Sequence, residues 1–397
     1  MLINRPFWQQ LIESAWQQRN IIWLMGVRRV GKTSLCRSLP DIEYFDCERP
    51  RIRQLFEDPE GFLANQKGKR IVLDEIHRLV NPSEVLKLAA DHYPEIKIIA
   101  TGSSTLGAST KFKDSLTGRK REIWLTPLLL REIGAFGNEN IQHRFLYGGL
   151  PSFFAASQFP EQDFREWIDA YWAKDIQELF KIEKRYSFQK FTELLLAYSG
   201  GMFEASKFSA PCEVSRQTIT NYLAILEATF VVHVIKPYST HKPTEIVMAP
   251  KVYGFDTGFV CYAKGWRELR IEDSGMLWEH CVLNELQGQL QTRSINYWRD
   301  KQGHEIDFVL RNAGNNSITT IACKFSGLSS DVRHSTLSLI VDNVEAFRRY
   351  YPQGKNYVVS YDIDIPFVRR FGDIELSFVN IKDLVKACRQ NVGHEAK

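Results

Sequence analysis

Gly26-Val27-Arg28-Arg29-Val30-Gly31-Lys32-Thr33 constrains this chain more than any other stretch. It spells GxxxxGK[ST] between an apolar run, Ile21-Ile22-Trp23-Leu24-Met25, and a helical pattern, Ser34 to Leu39. The run has the length and β-branching of a buried strand, and this strand–loop–helix context separates a nucleotide loop from a glycine turn with a stray lysine. In such a loop, backbone N–H groups and a helix N-terminus surround phosphate oxygens. The loop from Gly26 to Ser34 is therefore expected to cradle a nucleoside triphosphate. Lys32 reaches the β- and γ-phosphates, and the Thr33 hydroxyl ligates Mg²⁺.

A second motif lies where the first requires it. Arg70-Ile71-Val72-Leu73-Asp74-Glu75 is an apolar strand closing on two acids, about forty residues after the loop. Asp74 is expected to hold the Mg²⁺ hydration shell from the carboxyl end of a neighbouring parallel strand. Glu75 then orients and deprotonates the attacking water, so the pair implies hydrolysis as well as binding. A third strand, Ile96 to Ala100, ends in Thr101-Gly102-Ser103-Ser104, where Thr101 or Ser103 is a candidate γ-phosphate sensor. ATP is expected rather than GTP, because the chain has no Asn-Lys-x-Asp segment to read guanine.

A chain of 397 residues is long enough for two or three domains, each with its own core. Net charge +4 and a pI near 8.5 permit nucleic-acid binding without arguing for it. The seven scattered cysteines contain no CxxC pair, so neither a zinc site nor a disulfide framework is indicated. Scattered thiols, no apolar leader and no membrane-length apolar segment together predict a soluble cytoplasmic protein with no membrane partner.

Strands alternating with amphipathic helices up to residue 135 predict a parallel α/β domain. Residues 136–250 read as a helical region with long aromatic-rich helices, such as Phe164 to Phe180 and Phe188 to Ala197. Within it, Glu213 to Leu223 looks like a helix-turn-helix. Ser215 caps a helix that exposes Arg216, Gln217, Thr218 and Asn221 and turns Ile219, Tyr222, Leu223 and Leu226 to a core. A strand from Phe230 to Ile235 completes a winged-helix outline. Arg216, Gln217 and Asn221 suit phosphate or base-edge contacts, although winged helices also serve as plain packing or dimerisation modules.

Residues 251–397 carry a carboxylate pattern. Glu279 lies on a helix, Asp307 enters a hairpin with Glu305 beside it, and Lys324 ends the returning strand, Ile318 to Ala322, across the Asn312–Asn316 loop. Such acids bind Mg²⁺, and a nearby lysine positions or activates water against a phosphodiester. The second hairpin acid, expected two residues before Lys324, is Ala322. A methyl group there removes a metal ligand, which predicts weak metal binding and little cleavage.

Together these motifs resemble AAA+-like bacterial and archaeal ATPases that carry a C-terminal region of uncharacterised function. The resemblance runs through "MGVRRVGKTSL", "EYFDCERP", "IVLDEIHRL", "IIATGSSTL", "SLTGRKREIWLTPLLLREI", "YGGLPSFF", "VSRQTITNYLAILEATFVVHVIKPY", "KVYGFDTGF" and "HEIDFVL". It implies a P-loop ATPase core at 1–135, a helical and winged-helix connector at 136–250, and at 251–397 a restriction-endonuclease-like α/β domain similar to PD-(D/E)XK nucleases. In that C-terminal module the family reads acid-x-Lys where this chain has Ala322-Cys323-Lys324. The resemblance implies Mg-ATP hydrolysis, with catalytic roles for Lys32 and Glu75 and, in any active nuclease centre, for Asp307 and Lys324. Arg119 matches a basic position that stabilises transition-state charge, in a neighbouring subunit of a homo-oligomer, or else belongs to a surface basic cluster with Lys120 and Arg121. The expected partner is DNA. The competing expectation is a nucleotide-state switch that docks a protein partner.

Overall fold

The computed structural model describes residues 3–102, 116–180, 182–240, 249–312, 317–325 and 334–392. The chain forms two compact units, one of residues 1–143, 147–190 and 220–231, the other of 144–146, 191–219 and 232–397. The region expected at 136–250 therefore contributes to both.

The first unit is built on five parallel strands: β1 (Ile21–Met25), β2 (Ile42–Asp46), β3 (Arg70–Asp74), β4 (Lys97–Thr101) and β5 (Lys120–Trp124), in the order β2-β3-β4-β1-β5. β1 is buried along its whole length, and β3 and β4 along all but their first residue. That is why they read as continuous apolar runs rather than alternating ones. Because every strand runs the same way, the ends of β1, β3 and β4 open on one edge of the sheet, the edge where α/β proteins bind ligands. Helix α1 (Pro6–Trp16) starts with proline at its first position and buries Trp8, Ile12, Ala15 and Trp16 as one stripe. Helix α2 (Lys32–Arg37) leaves the loop after β1. Helix α3 (Glu161–Tyr171) continues into a π-helical stretch, Trp172–Ile176, and then a last α-helical turn, Gln177–Phe180.

Helix α4 (Arg216–Ala228) has the predicted faces except at Thr218, which is half-buried against Ser215. Ser215 Oγ accepts a bond from the Thr218 N–H at 3.1 Å, which caps the helix. Ile219, Tyr222, Leu223 and Leu226 are buried, while Arg216, Gln217 and Asn221 are exposed.

In the second unit, the described residues form a mixed nine-stranded sheet. Its strands are β6 (Gly201–Met202), β7 (Val232–Pro237), β8 (Lys251–Gly254), β9 (Asn296–Arg299), β10 (Glu305–Arg311), β11 (Ile318–Cys323), β12 (Asn356–Val359), β13 (Phe367–Phe371) and β14 (Ile374–Val379), ordered β13-β14-β12-β11-β10-β9-β7-β8-β6. The strand expected to complete the winged-helix outline is β7. It is an interior strand of this sheet, antiparallel to β8 and parallel to β9. β10 and β11 pair antiparallel as expected, with Phe308 opposite Ile321. Helix α5 (Ser274–Leu290) is buried nearly all round, so it shows little amphipathic contrast. Within it, His280 Nδ1 donates to the Met276 carbonyl at 2.8 Å, and Nε2 lies 2.6 Å from Ser199 Oγ. The carbonyl can only accept, which fixes the neutral tautomer, and burial pushes the imidazole down to about 4.

All seven cysteines are buried thiols outside any disulfide. Among the described residues no helix is long and apolar enough to cross a membrane.

Candidate functional site

Gly26 has φ of +150°, and a Cβ there would stand 2.4 Å from the Leu125 carbonyl oxygen. Gly31, at φ +99°, opens α2 from the left-handed region. These two positions are why the loop is spelled with glycine at both ends. A buried ion pair braces it from within the unit. Arg5 Nε and Nη2 donate to Glu132 at 2.7 and 2.8 Å, and Arg5 Nη1 donates to the Val30 carbonyl at 3.1 Å. Trp8 Nε1 and the Leu129 N–H also donate to Glu132, so the buried carboxylate is well satisfied. Glu132 lies in a stretch that carries the resemblance, but only tertiary structure reveals that it pairs with Arg5.

Around the loop lies a cavity of about 520 Å³, a size suited to a small ligand. Its walls include Gly26, Arg28, Arg29, Gly31, Lys32, Thr33 and Ser34 from the loop, Glu75 and His77 after β3, Gly102 after β4, and Lys174 and Asp175 from the π-helical stretch. Val27 and Val30 are instead buried beneath the loop. Lys32 Nζ donates to the carbonyls of Gly26 at 2.7 Å and Val27 at 3.2 Å. Burial draws this ammonium below its ordinary value, against the pull of Glu75, Asp175 and Asp74.

The Asp74 carboxylate is where the sheet order matters. Thr33 Oγ1 donates to it at 2.9 Å, and the hydroxyls of Tyr44 and Thr101 donate to it as well. β4 lies between β1 and β3, so the end of β4 delivers Thr101 beside Asp74. Thr101 is fully buried; it donates to Asp74 and accepts from the Glu75 N–H at 3.2 Å. It thus touches the two acids and is not itself on the cavity wall. Ser103, the other expected sensor, lies outside the described residues. Tyr44 was not readable as a site residue; Tyr44-Phe45-Asp46-Cys47-Glu48 reads only as a short strand ending in acids.

Glu75 sits in the left-handed region, φ +50°, a strained position for a non-glycine residue and one concentrated at functional sites. Burial raises its carboxyl, but a hydrogen bond from His77, with Nδ1 3.2 Å from Glu75 Oε2, and the charge of Lys32 more than offset this and hold it below the ordinary range.

Arg119 is a correction for this cavity. It immediately precedes β5, so it lies at the amino ends of the parallel strands, whereas the loop lies at their carboxyl ends. There its Nε pairs with Asp91 Oδ1 at 2.7 Å on the surface. No role in its own chain's cavity is open to it.

The C-terminal carboxylates do come together. Glu279 on α5 is hydrogen-bonded to Asp307 on β10, and Asp307 Oδ2 accepts from the Cys323 N–H at 2.7 Å. Burial, then the Asp307 charge, push Glu279 up to about 8, so near neutrality it is the protonated donor of that pair. A residue missed by sequence reasoning completes the group: Lys251 on β8, only 5% exposed. Its ammonium bonds Glu305 and lies 4.0 Å from Glu279, and Arg299 lies 3.6 Å from Glu305. Burial opposes this charge, yet Glu279, Glu305 and Asp307 hold its value above the ordinary one. The side chains do not fit a divalent cation, because an internal ammonium already neutralises them. Among the described residues no group of three or more His, Cys, Asp or Glu is placed to hold a metal. The expectation from Ala322 alone is therefore incomplete: Lys251 opposes a metal whatever stands at 322. Ala322→Glu by itself should leave Mn²⁺ binding, measured calorimetrically without nucleotide, undetectable in the millimolar range. Adding Lys251→Met should strengthen it at least about tenfold, since a unit charge at ~4 Å is worth ~4 kcal/mol at an effective dielectric of ~20. Tight binding by Ala322→Glu alone would sink this assignment.

The loop, the paired acids and their shared cavity have the geometry of a P-loop nucleotide site, and one family comparison falls on the same residues. Residues 18–134 match the family described as AAA domain. Residues 138–270 and 274–366 match two domains of unknown function, DUF8612 and DUF4143. An uncharacterized protein of Mycobacterium tuberculosis and one of Mycobacterium bovis are each 27% identical over 327 residues, covering 79% of this chain and 73% of theirs. Among solved structures, the STAND signal-transduction ATPase with a tetratricopeptide repeat sensor from Pyrococcus horikoshii is 12% identical with a TM-score of 0.28; the match covers 70% of this chain but only 46% of that one. Cdc6p from Pyrobaculum aerophilum is 12% identical with a TM-score of 0.26, covering 67% of this chain and 95% of that one. Likenesses this loose bear on neither fold nor role.

Proposed function

We propose that this chain is a Mg²⁺-dependent ATP hydrolase that acts on or with DNA. The observation that carries the reading is the placing of Lys32, Thr33 and Glu75 on one cavity wall, with Asp74 bonded to Thr33 beside it. Lys32 exchanges its carbonyl partners for β- and γ-phosphate oxygens. Thr33 and Asp74, already in contact, are the residues that would hold Mg²⁺, which supplies charge neutralisation at the phosphates. Glu75, held as a carboxylate, takes the proton of the attacking water. The exposed Arg216, Gln217 and Asn221 of α4 support contact with DNA, and a homo-oligomer would give Arg119 a site on a neighbouring copy. The nuclease-like reading of the second unit rests on Glu279, Asp307 and Lys324 alone.

A second reading is an ATP-driven switch that docks a protein partner without cutting DNA, and the neutralised cluster around Lys251 favours it. ATPase rate, measured with and without single- and double-stranded DNA across a salt series, separates the two. The DNA reading expects stimulated turnover and retention on DNA that weakens steeply with salt and with the Arg216→Ala/Gln217→Ala pair. Turnover indifferent to DNA, with no retention, sinks it in favour of the switch.

A further inference from the structure

The nucleotide cavity holds a cation that the loop motif does not require. Position 28 of GxxxxGK[ST] accepts any residue, and here it is an arginine on the cavity wall. Arg28 Nε donates to Asp175 Oδ2 at 3.0 Å, and its own carbonyl accepts from Trp167 Nε1 at 3.0 Å. Both its backbone and its side chain are thus held from the α3 segment. Asp175 lies in the π-helical stretch Trp172–Ile176, which interrupts an otherwise α-helical run. A π turn has poorer hydrogen-bond geometry than the helix around it and is found mostly at functional sites. Here it buries Trp172 and Ile176 while bringing Lys174 and Asp175 to the cavity wall.

The other arginines of interest are placed differently. Arg78, also on the cavity wall, reaches Glu48 at 4.0 Å. Arg29 is 40% exposed and pairs loosely with Asp163 at 3.4 Å, and Arg119 lies at the opposite edge of the sheet. Arg28, by contrast, stands within electrostatic reach of both Lys32 and Glu75, the residues that bracket the γ-phosphate in the reading above.

We propose that Arg28 is a catalytic residue that touches the γ-phosphate from within the same chain, and that Asp175 is the positioning residue that aims it. The inference rests on the ATPase reading. In the reaction, the water oxygen bonds to the γ-phosphorus and the bridging P–O bond breaks, its electron pair going to the terminal oxygen of ADP. The water proton goes to Glu75. Arg28 exchanges no proton; its planar guanidinium meets the charge that develops on the γ-oxygens. Asp175 keeps the Nε edge of the guanidinium engaged, so the side chain is ordered before substrate arrives.

The test uses the full chain, with a fluorescent ATP analogue and ADP for binding, phosphate release for turnover and thermal melting for stability. Arg28→Ala should lower kcat at least about 100-fold, the loss typical of one preorganised charge-stabilising donor, while ATP affinity changes less than about tenfold. Arg28→Lys should recover only part of the rate, because an ammonium lacks the fork. Asp175→Asn should lower kcat about tenfold with KM nearly unchanged, and should cost nothing further on top of Arg28→Ala, as expected for residues acting as a unit. Normal kcat in Arg28→Ala overturns the proposal, as does a lowered melting temperature with kcat intact, or additive effects in the double variant. The ATPase reading is judged separately on the wild type: absence of ATP binding and turnover there overturns both, whereas an active wild type with an indifferent Arg28→Ala overturns this inference alone.

Discussion

Glu75→Gln should keep ATP bound and slow its hydrolysis by roughly 10²–10⁴-fold, the usual contribution of a positioned general base. Glutamine preserves the length and one acceptor oxygen but cannot take a proton. The local structure gives this side chain little freedom. Its φ of +50° turns it out of β3 into the cavity, its N–H is tied to Thr101 Oγ1 at 3.2 Å, and His77 Nδ1 stands 3.2 Å from the carboxylate. The pH sign follows from the same neighbours. Burial favours the neutral acid, but His77, Lys32 and Arg28 together place its value below the ordinary 4.5. The base is therefore ionised across the neutral range, and the free enzyme's kcat/KM loses this contribution only as pH falls below about 4.5. Single-turnover phosphate release beside analogue binding is the measurement. A Glu75→Gln variant that turns over within about threefold of wild type would remove Glu75 from the reaction.

The nucleotide half of the molecule was legible because its chemistry is local. Gly26 and Gly31 are dictated by backbone geometry within one loop, and Lys32 and Thr33 follow from the helix that the loop opens. The apolar runs of β1, β3 and β4 show themselves because strands buried on both faces carry no polar alternation. β5 did not show itself: it is an edge strand, and its Lys120-Arg121-Glu122 start reads as a surface charge cluster. Arg119 was placed near the reaction by the resemblance, with a surface basic cluster as the alternative, and only the direction of β5 reveals at which edge of the sheet the residue lies.

Residues that act across long separations were not legible. Asp175 reaches Arg28 over 147 positions and Glu132 reaches Arg5 over 127, and neither acid stands in a pattern with a local meaning. Lys251 is the sharpest case. Glu279, Glu305, Asp307 and Lys324 announce a metal centre by spacing, but β8 pairs into the sheet from 54 residues before Glu305 and brings an ammonium among them. Burying a cation is costly unless acids meet it, so the same carboxylates that suggest a metal site also satisfy a lysine. Spacing reports which groups are available; packing decides which cation they serve.

Lys32→Ala should weaken ATP binding about 100-fold, and its comparison with Glu75→Gln tests the loop more severely than either variant alone. Without nucleotide, the ammonium is satisfied by two carbonyls of its own loop, Gly26 at 2.7 Å and Val27 at 3.2 Å. Gly26 lines an open cavity where water can replace the lysine, so deletion should leave folding nearly unaffected. A bound triphosphate has no such substitute. It loses one unit charge and its charge-assisted hydrogen bonds, each worth roughly 1.5–3 kcal/mol. Lys32→Ala should thus fail to bind and therefore to hydrolyse, whereas Glu75→Gln should bind and wait. Titration of a fluorescent ATP analogue against both, with melting temperatures as a check on folding, reads the difference directly. If Lys32→Ala held the analogue within about fivefold of wild type, the loop between Gly26 and Thr33 would be a turn that packs well, and the cavity beside it would need another ligand.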